Sequence, residues 1–124
     1  MVVVITIWGN RISPVFDSSK TLLIVEIVEN KIVNRSQESF VPDKLDFLEK
    51  RLKELNVSTV ISGAISEKPA QFIEDSGFVL IPFISGFVDD VVESIQTNEP
   101  ITPKFLMPGC KCQKRARGKC RKKR

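Results

Sequence analysis

Apolar positions keep two different rhythms along the chain, and the change between them predicts the fold. Met1–Trp8 is a continuous apolar, β-branched run, the pattern of a central strand buried on both faces. Gly9–Ser19 (GNRISPVFDSS) breaks it with Gly, Pro and polar residues. It reads as a loop of about eleven residues, long for a compact domain and of the kind that carries function. Lys20–Val28 and Lys31–Gln37 follow as two strands joined at Glu29-Asn30, an antiparallel hairpin. After the start signal of Pro42, Leu45, Leu48, Leu52 and Leu55 recur at helical spacing, predicting an amphipathic helix over Pro42–Leu55.

Strand and helix then alternate. Val57–Ser62 is a strand, Gly63-Ala64 turns the chain, and Ser66 caps a helix that runs to Ser76 and stops at Gly77. Phe78–Pro82 is a short strand, and Ser85-Gly86 opens a last helix with its core stripe at Val88, Val91, Val92 and Ile95. Asn98–Pro108, with three prolines, reads as an extended exit whose Phe105, Leu106 and Met107 pack on the body, with order ending near Gly109. Trp8, Phe47, Phe72, Phe78 and Phe87 read as core residues, with no stacking role.

The element order is thus βββαβαβα, and the alternating half implies parallel strands with right-handed crossovers. The natural arrangement is a ribonuclease H-like α/β fold, a mixed five-stranded sheet of order 3-2-1-4-5 with three helices. Length allows one domain, residues 1–108, with a tail over 109–124. Nucleases of that fold place metal-binding acids on the first strand, and Val2–Trp8 has none. Fold alone therefore does not imply nuclease function.

Charge divides the chain at the same place. Cys110–Arg124 holds all three cysteines, nine of the nineteen Lys and Arg, and no acid. The net charge of +4 is thus +9 from this tail and −5 from the rest, so the body is acidic. Histidine is absent, which removes Ser-His-Asp and Cys-His nucleophile systems and nitrogen-ligated zinc. No apolar run approaches the roughly 20 residues that cross a bilayer. The first also lacks a basic leader and a cleavage site, so the expected location is cytoplasmic and off the membrane.

Three thiols spaced Cys110, Cys112 and Cys120 suit a soft metal or an iron-sulfur cluster, yet a closed site wants four ligands. A labile cluster, an added thiol or a second chain would complete it, and idle thiols are the other reading. The cations suit a polyanion. Lacking interleaved aromatics, the tail offers no base-stacking platform, and any nucleic-acid binding through it is expected to be non-specific and salt-sensitive.

Several segments together resemble the dinitrogenase iron-molybdenum cofactor biosynthesis family. They are Ile12-Ser13-Pro14-Val15-Phe16-Asp17, the strand Leu22–Val28, the Ser62-Gly63 turn, Ile81–Gly86, the helix Val88–Ile95, and the Met-Pro-Gly-Cys ending before the basic tail. The resemblance implies a ribonuclease H-like domain that binds or carries an iron-sulfur or iron-molybdenum type cluster, with no turnover of its own. Metallocluster donor and acceptor proteins would be its partners. Family members that bind cofactor often carry His-Phe-Gly-Arg-Ala after the first strand, where this chain has Val15-Phe16-Asp17-Ser18-Ser19. Only Phe16 aligns.

In an open α/β sheet, ligands sit beyond the carboxyl ends of the parallel strands. The loops expected there are Gly9–Ser19, Ser62–Ser66 and Pro82–Gly86, two of which lead into helix N-termini that favour an anion. Ser13, Phe16, Ser62, Gly63, Ser66, Ser85 and Gly86 are the candidate binding residues, and Cys110, Cys112 and Cys120 the candidate metal ligands. For the serines and glycines, service as caps and turns is the competing reading. Two other functions stay open: an accessory nucleic-acid-associated protein acting through the tail, and a regulatory domain for a small organic anion.

Overall fold

The computed structural model describes residues 1–97 and Phe105. In chain order the elements are β1 (Val2–Trp8), β2 (Arg11–Ile12), a single 3-10 turn (Phe16–Ser18), β3 (Thr21–Val28), β4 (Lys31–Ser39), α1 (Leu45–Glu54), β5 (Val57–Ile61), α2 (Glu67–Asp75), β6 (Val79–Ile81) and α3 (Val88–Gln96). The sheet runs β4-β3-β1-β5-β6, with β1–β5 and β5–β6 parallel and the rest antiparallel. That is the expected order of five strands, with one addition: β2 makes a sixth.

β2 forms because β1 outruns its neighbour. β5 covers Val2–Ile5 on one edge of β1, and beyond it Ile7 and Trp8 pair with Ile12 and Arg11. Gly9-Asn10 makes the turn, Gly9 taking a φ of 65°, as the first central position of a two-residue hairpin requires. The β3–β4 connection uses Glu29 and Asn30, both left-handed at φ 53° and 64°. That is the turn type whose twist matches flanking antiparallel strands.

Alternation along β1 divides the core into two layers. Val3, Ile5 and Ile7 join Leu23, Val25 and Ile61 beneath Val88, Val91, Val92 and Ile95 of α3. Val4 joins Leu22, Ile24 and Val60 beneath Leu48 and Leu52 of α1 and Ile73 of α2. Each such side chain, fully withdrawn from water, contributes roughly 1.5–3 kcal/mol before chain entropy is set against it. β4 is an edge strand with polar residues on both faces, tied to α3 by Arg35–Asp89 at 2.9 Å.

Three expectations need correction. α1 begins at Leu45, because Pro42 lies in a turn closed by Lys44 N–H donating to Val41 O. Trp8 is 74% exposed and Phe87 46%, since both sit at the sheet end beyond the helices that cover it. Phe47 is 70% exposed, because it lies off the Leu45-Leu48-Leu52-Leu55 stripe. The exit segment after Asn98 and the tail, including its proposed domain boundary, lie outside the described residues except at Phe105. That residue packs on the α3-side core.

Candidate functional site

The three loops expected beyond the strand ends do converge, and backbone hydrogen bonds knit them into one rim. Ser13 N–H donates to Thr6 O at 2.9 Å, Ala64 N–H to Pro14 O at 2.8 Å, and Phe16 N–H to Ala64 O at 2.7 Å. The third loop joins through Phe83 N–H to Gly63 O and Ile84 N–H to Ser62 O, both 3.0 Å. Ile12 N–H donates to Gly86 O at 3.0 Å and Val88 N–H to Asn10 O at 2.9 Å, so the last loop also closes against β2.

Gly63 makes this closure possible. A Cβ there would stand 2.3 Å from Ser13 O and 2.6 Å from Pro14 O, positions only a bare backbone tolerates. Below it lies a buried hydroxyl cluster. Ser19 Oγ donates to Ser13 Oγ at 2.7 Å and contacts Val15 O at 2.8 Å, while Ser62 Oγ donates to Gly63 O at 3.1 Å. Among the described residues Thr6 Oγ1 is buried with no hydrogen-bond partner. Phe16 is fully buried, its ring 5.7 Å from that of Phe40.

The candidate residues therefore divide by depth. Ser13, Phe16, Ser62 and Gly63 are buried under the loops, the two hydroxyls engaged within their own loops while backbone bonds join one loop to the next. Ser66 is exposed, and Ser85 and Gly86 are half-buried. Ser66 precedes α2 without a side-chain cap bond, and Ser85 N–H is taken by Phe105 O at 2.8 Å. The helix N-termini are less welcoming to an anion than expected. Glu67 stands in the first turn of α2, and Asp89 and Asp90 in that of α3, so fixed negative charge already offsets the positive end of each dipole and repels a further anion.

Sequence reasoning missed Arg11. Its guanidinium is exposed and lies 4.8 Å from the centroid of the Phe87 ring, which places a permanent cation on the rim. The available signal was Gly9-Asn10 between apolar runs, a hairpin dipeptide that puts Arg11 opposite Trp8. Phe83 was missed too. It is a bulky residue held left-handed at φ 62°, the kind of local strain that collects at functional sites.

Among the described residues no group of three or more His, Cys, Asp or Glu is placed to hold a metal ion. Cys110, Cys112 and Cys120 lie outside them. No helix among them is long and apolar enough to cross a membrane.

Comparison with known proteins bears on what this rim serves. A family model described as dinitrogenase iron-molybdenum cofactor matches residues 1–98. The protein PH0822 superposes with a TM-score of 0.71 at 16% identity, covering 85% of this chain and 97% of its own. A proposed dinitrogenase from Methanocaldococcus jannaschii gives 0.62 at 24% identity, covering 80% and 90%. The apo form of the orange protein from Desulfovibrio gigas gives 0.57 at 14% identity, covering 82% and 92%. These similarities establish a shared fold. A comparison with curated proteins gives no match.

Proposed function

Because the chain belongs to the dinitrogenase iron-molybdenum cofactor family over residues 1–98, we propose that it binds an iron-sulfur or iron-molybdenum type cluster as cargo. It hands the cluster on without turnover, between donor and acceptor proteins of cofactor assembly. The observation that carries this reading is the rim itself, three strand-end loops locked together with a cation, Arg11, at their edge.

The donor set decides how such a cargo would be held. Soft iron or molybdenum sites take thiolate or imidazole, and the rim offers hydroxyls, backbone N–H groups and one guanidinium. It suits the outer anionic surface of a cluster and not its metal ions. Bonds to metal then fall to Cys110, Cys112 and Cys120. Ser85 N–H holds Phe105 O, and Cys110 follows five residues later, within about 17 Å of extended chain. Lys and Arg beside these thiols favour the thiolate form that ligation needs.

Anaerobic reconstitution with iron and sulfide tests this. The expected result is a visible charge-transfer absorption that a Cys110→Ser, Cys112→Ser, Cys120→Ser variant loses and a variant with the tail Lys and Arg replaced by Gln largely keeps. Arg11→Glu should weaken uptake. Absorption that survives the triple variant would move ligation away from the tail. No uptake by the wild-type chain, from free ions or from a defined cluster donor, would end the reading.

A further inference from the structure

Trp8, Arg11 and Phe87 form a row across three neighbouring segments of the sheet end. Trp8 is the direct partner of Arg11, and Arg11 bridges Phe87 in antiparallel sense. Directly opposed residues share a face, and steps of about 5 Å between them make the row about 10 Å long. The bonds from Ile12 N–H to Gly86 O and from Val88 N–H to Asn10 O flank the Arg11–Phe87 pair, making it a non-hydrogen-bonded pair, the kind whose side chains approach closest. All three side chains are exposed.

Arg11 sets the chemistry of this row. Arg35 and Arg51, the other arginines among the described residues, each pair with a carboxylate, whereas no carboxylate among those residues pairs with Arg11. Its guanidinium lies over the Phe87 ring instead. That contact steadies the cation without committing its planar fork of donors to a carboxylate, so part of the cost of ordering the side chain is met before a ligand arrives.

We propose that the row is the docking anchor for a partner protein that presents one carboxylate between apolar side chains. The carboxylate takes the Arg11 fork in a two-point hydrogen bond, and the flanking apolar groups cover Trp8 and Phe87. Trp and Arg are the side chains in which interface energy concentrates. Charge selects the rest of that partner. Residues 1–97 carry nine Lys and Arg against fourteen Asp and Glu, a net of −5, and Asp89 and Asp90 stand in the turn that follows Phe87. Such a body repels a polyanion, while a lone carboxylate in a basic surround satisfies both Arg11 and the acids. A second copy of these residues is disfavoured by the same net charge, and three side chains fall far short of the roughly 800 Å² per partner that a stable interface buries. The contact is therefore transient and made with a different protein. It needs no cluster, so it stands apart from the cargo reading.

A suitable probe is the blocked peptide Lys-Ala-Phe-Glu-Leu-Ala-Lys, with Gln or Lys in place of its Glu as controls. Titrated into the full, metal-free chain, the Glu peptide should change the fluorescence of Trp8, the one tryptophan, saturably and with a Kd of about 0.1–1 mM. The Gln peptide should bind roughly tenfold more weakly, and the Lys peptide more weakly still. Followed by amide shifts, Trp8→Ala should weaken the Glu peptide roughly tenfold and Trp8→Phe should restore most of it. Arg11→Gln should erase the preference for Glu over Gln, a coupling that a loss of stability alone does not produce. Equal binding of the three peptides, no saturable response up to about 5 mM, or an Arg11→Gln chain that still prefers Glu would overturn the anchor. So would a silent Glu peptide beside a Trp8 response to a 12-nucleotide oligothymidylate, to 3:1 phosphatidylcholine-phosphatidylglycerol vesicles or to rising chain concentration, which would assign the row to a nucleic acid, a membrane surface or a second copy.

Discussion

Replacing Gly63 with Ala should unfold much of the rim from a single methyl group. The new Cβ would lie 2.3 Å from Ser13 O, 2.6 Å from Pro14 O and 2.8 Å from Pro14 C, and all three are backbone atoms that cannot rotate away. Restoring ordinary contact requires the Ser13–Pro14 segment to retreat by about 1 Å. That retreat strains Ala64 N–H to Pro14 O and Phe16 N–H to Ala64 O, now 2.8 and 2.7 Å, each worth about 0.5–1.5 kcal/mol net. Overpacking adds about 1–3 kcal/mol. Ala regains about 0.4–1 kcal/mol by restricting the unfolded chain, too little to reverse the sign.

The net cost is about 2–4 kcal/mol, or a fall of about 10–20 °C in Tm for a domain of this size. Gly77→Ala is the control. Gly77 has φ 97° with nothing near its Cβ position, so only left-handed strain of about 1–2 kcal/mol applies. Thermal unfolding followed by far-ultraviolet circular dichroism should rank Gly63→Ala well below Gly77→Ala. A Gly63→Ala variant melting within about 3 °C of wild type would mean that the loops are not docked as described.

Three other outcomes follow from the same packing. Thr6→Val replaces a buried hydroxyl that has no partner among the described residues by a methyl of similar shape and should leave stability unchanged or raise it by about 1 kcal/mol in urea unfolding; a loss would mean that Oγ1 has a partner to bond. Val4→Asp puts an unpaired charge in the fully buried middle of β1 and should cost about 3–5 kcal/mol, seen as loss of soluble folded protein; a tolerated Asp would mean that β1 is not central. Arg51 donates through two nitrogens to Glu38, and this hydrogen bonding holds the Glu38 carboxyl below the ordinary carboxylate range. Its stabilisation should therefore be full above that range and vanish as pH falls through the lowered value. Because the pair is exposed the effect should be small and fade at high salt, and Arg51→Gln should remove it from the urea midpoint between pH 6 and pH 3, read with about half-unit steps.

The parts of the fold legible in the sequence are those where periodicity and burial coincide. Val88, Val91, Val92 and Ile95 mark α3 because that face must cover the sheet, and the Glu29-Asn30 pair marks a turn because two polar residues interrupt two strand-forming runs. β2 was hidden because two residues carry no period, and only the unfilled edge of β1 past Ile5 calls them into the sheet. Trp8 and Phe87 misled for a related reason. Composition says that large apolar side chains go inside, whereas their exposure is set by where β1 and α3 end relative to their covers. The convergence of the three loops followed from topology. Which serines face outward did not, because it depends on the close approach that Gly63 allows.

β4 carries a consequence for how the protein behaves in a crowded solution. A nine-residue strand at the border of a sheet offers a ready template for fibril growth, and the opposite border, β6, is only three residues long. Lys31, Arg35 and Glu38 along β4 make that template repel incoming strands. Protection of this kind lets the chain display Trp8, Phe83 and Phe87 openly, because sticky rings are hazardous chiefly where free backbone can extend the contact. Changing Arg35 and Gln37 to Val would leave the rim as it stands and withdraw the safeguard, turning a dispersed protein into a nucleus for amyloid.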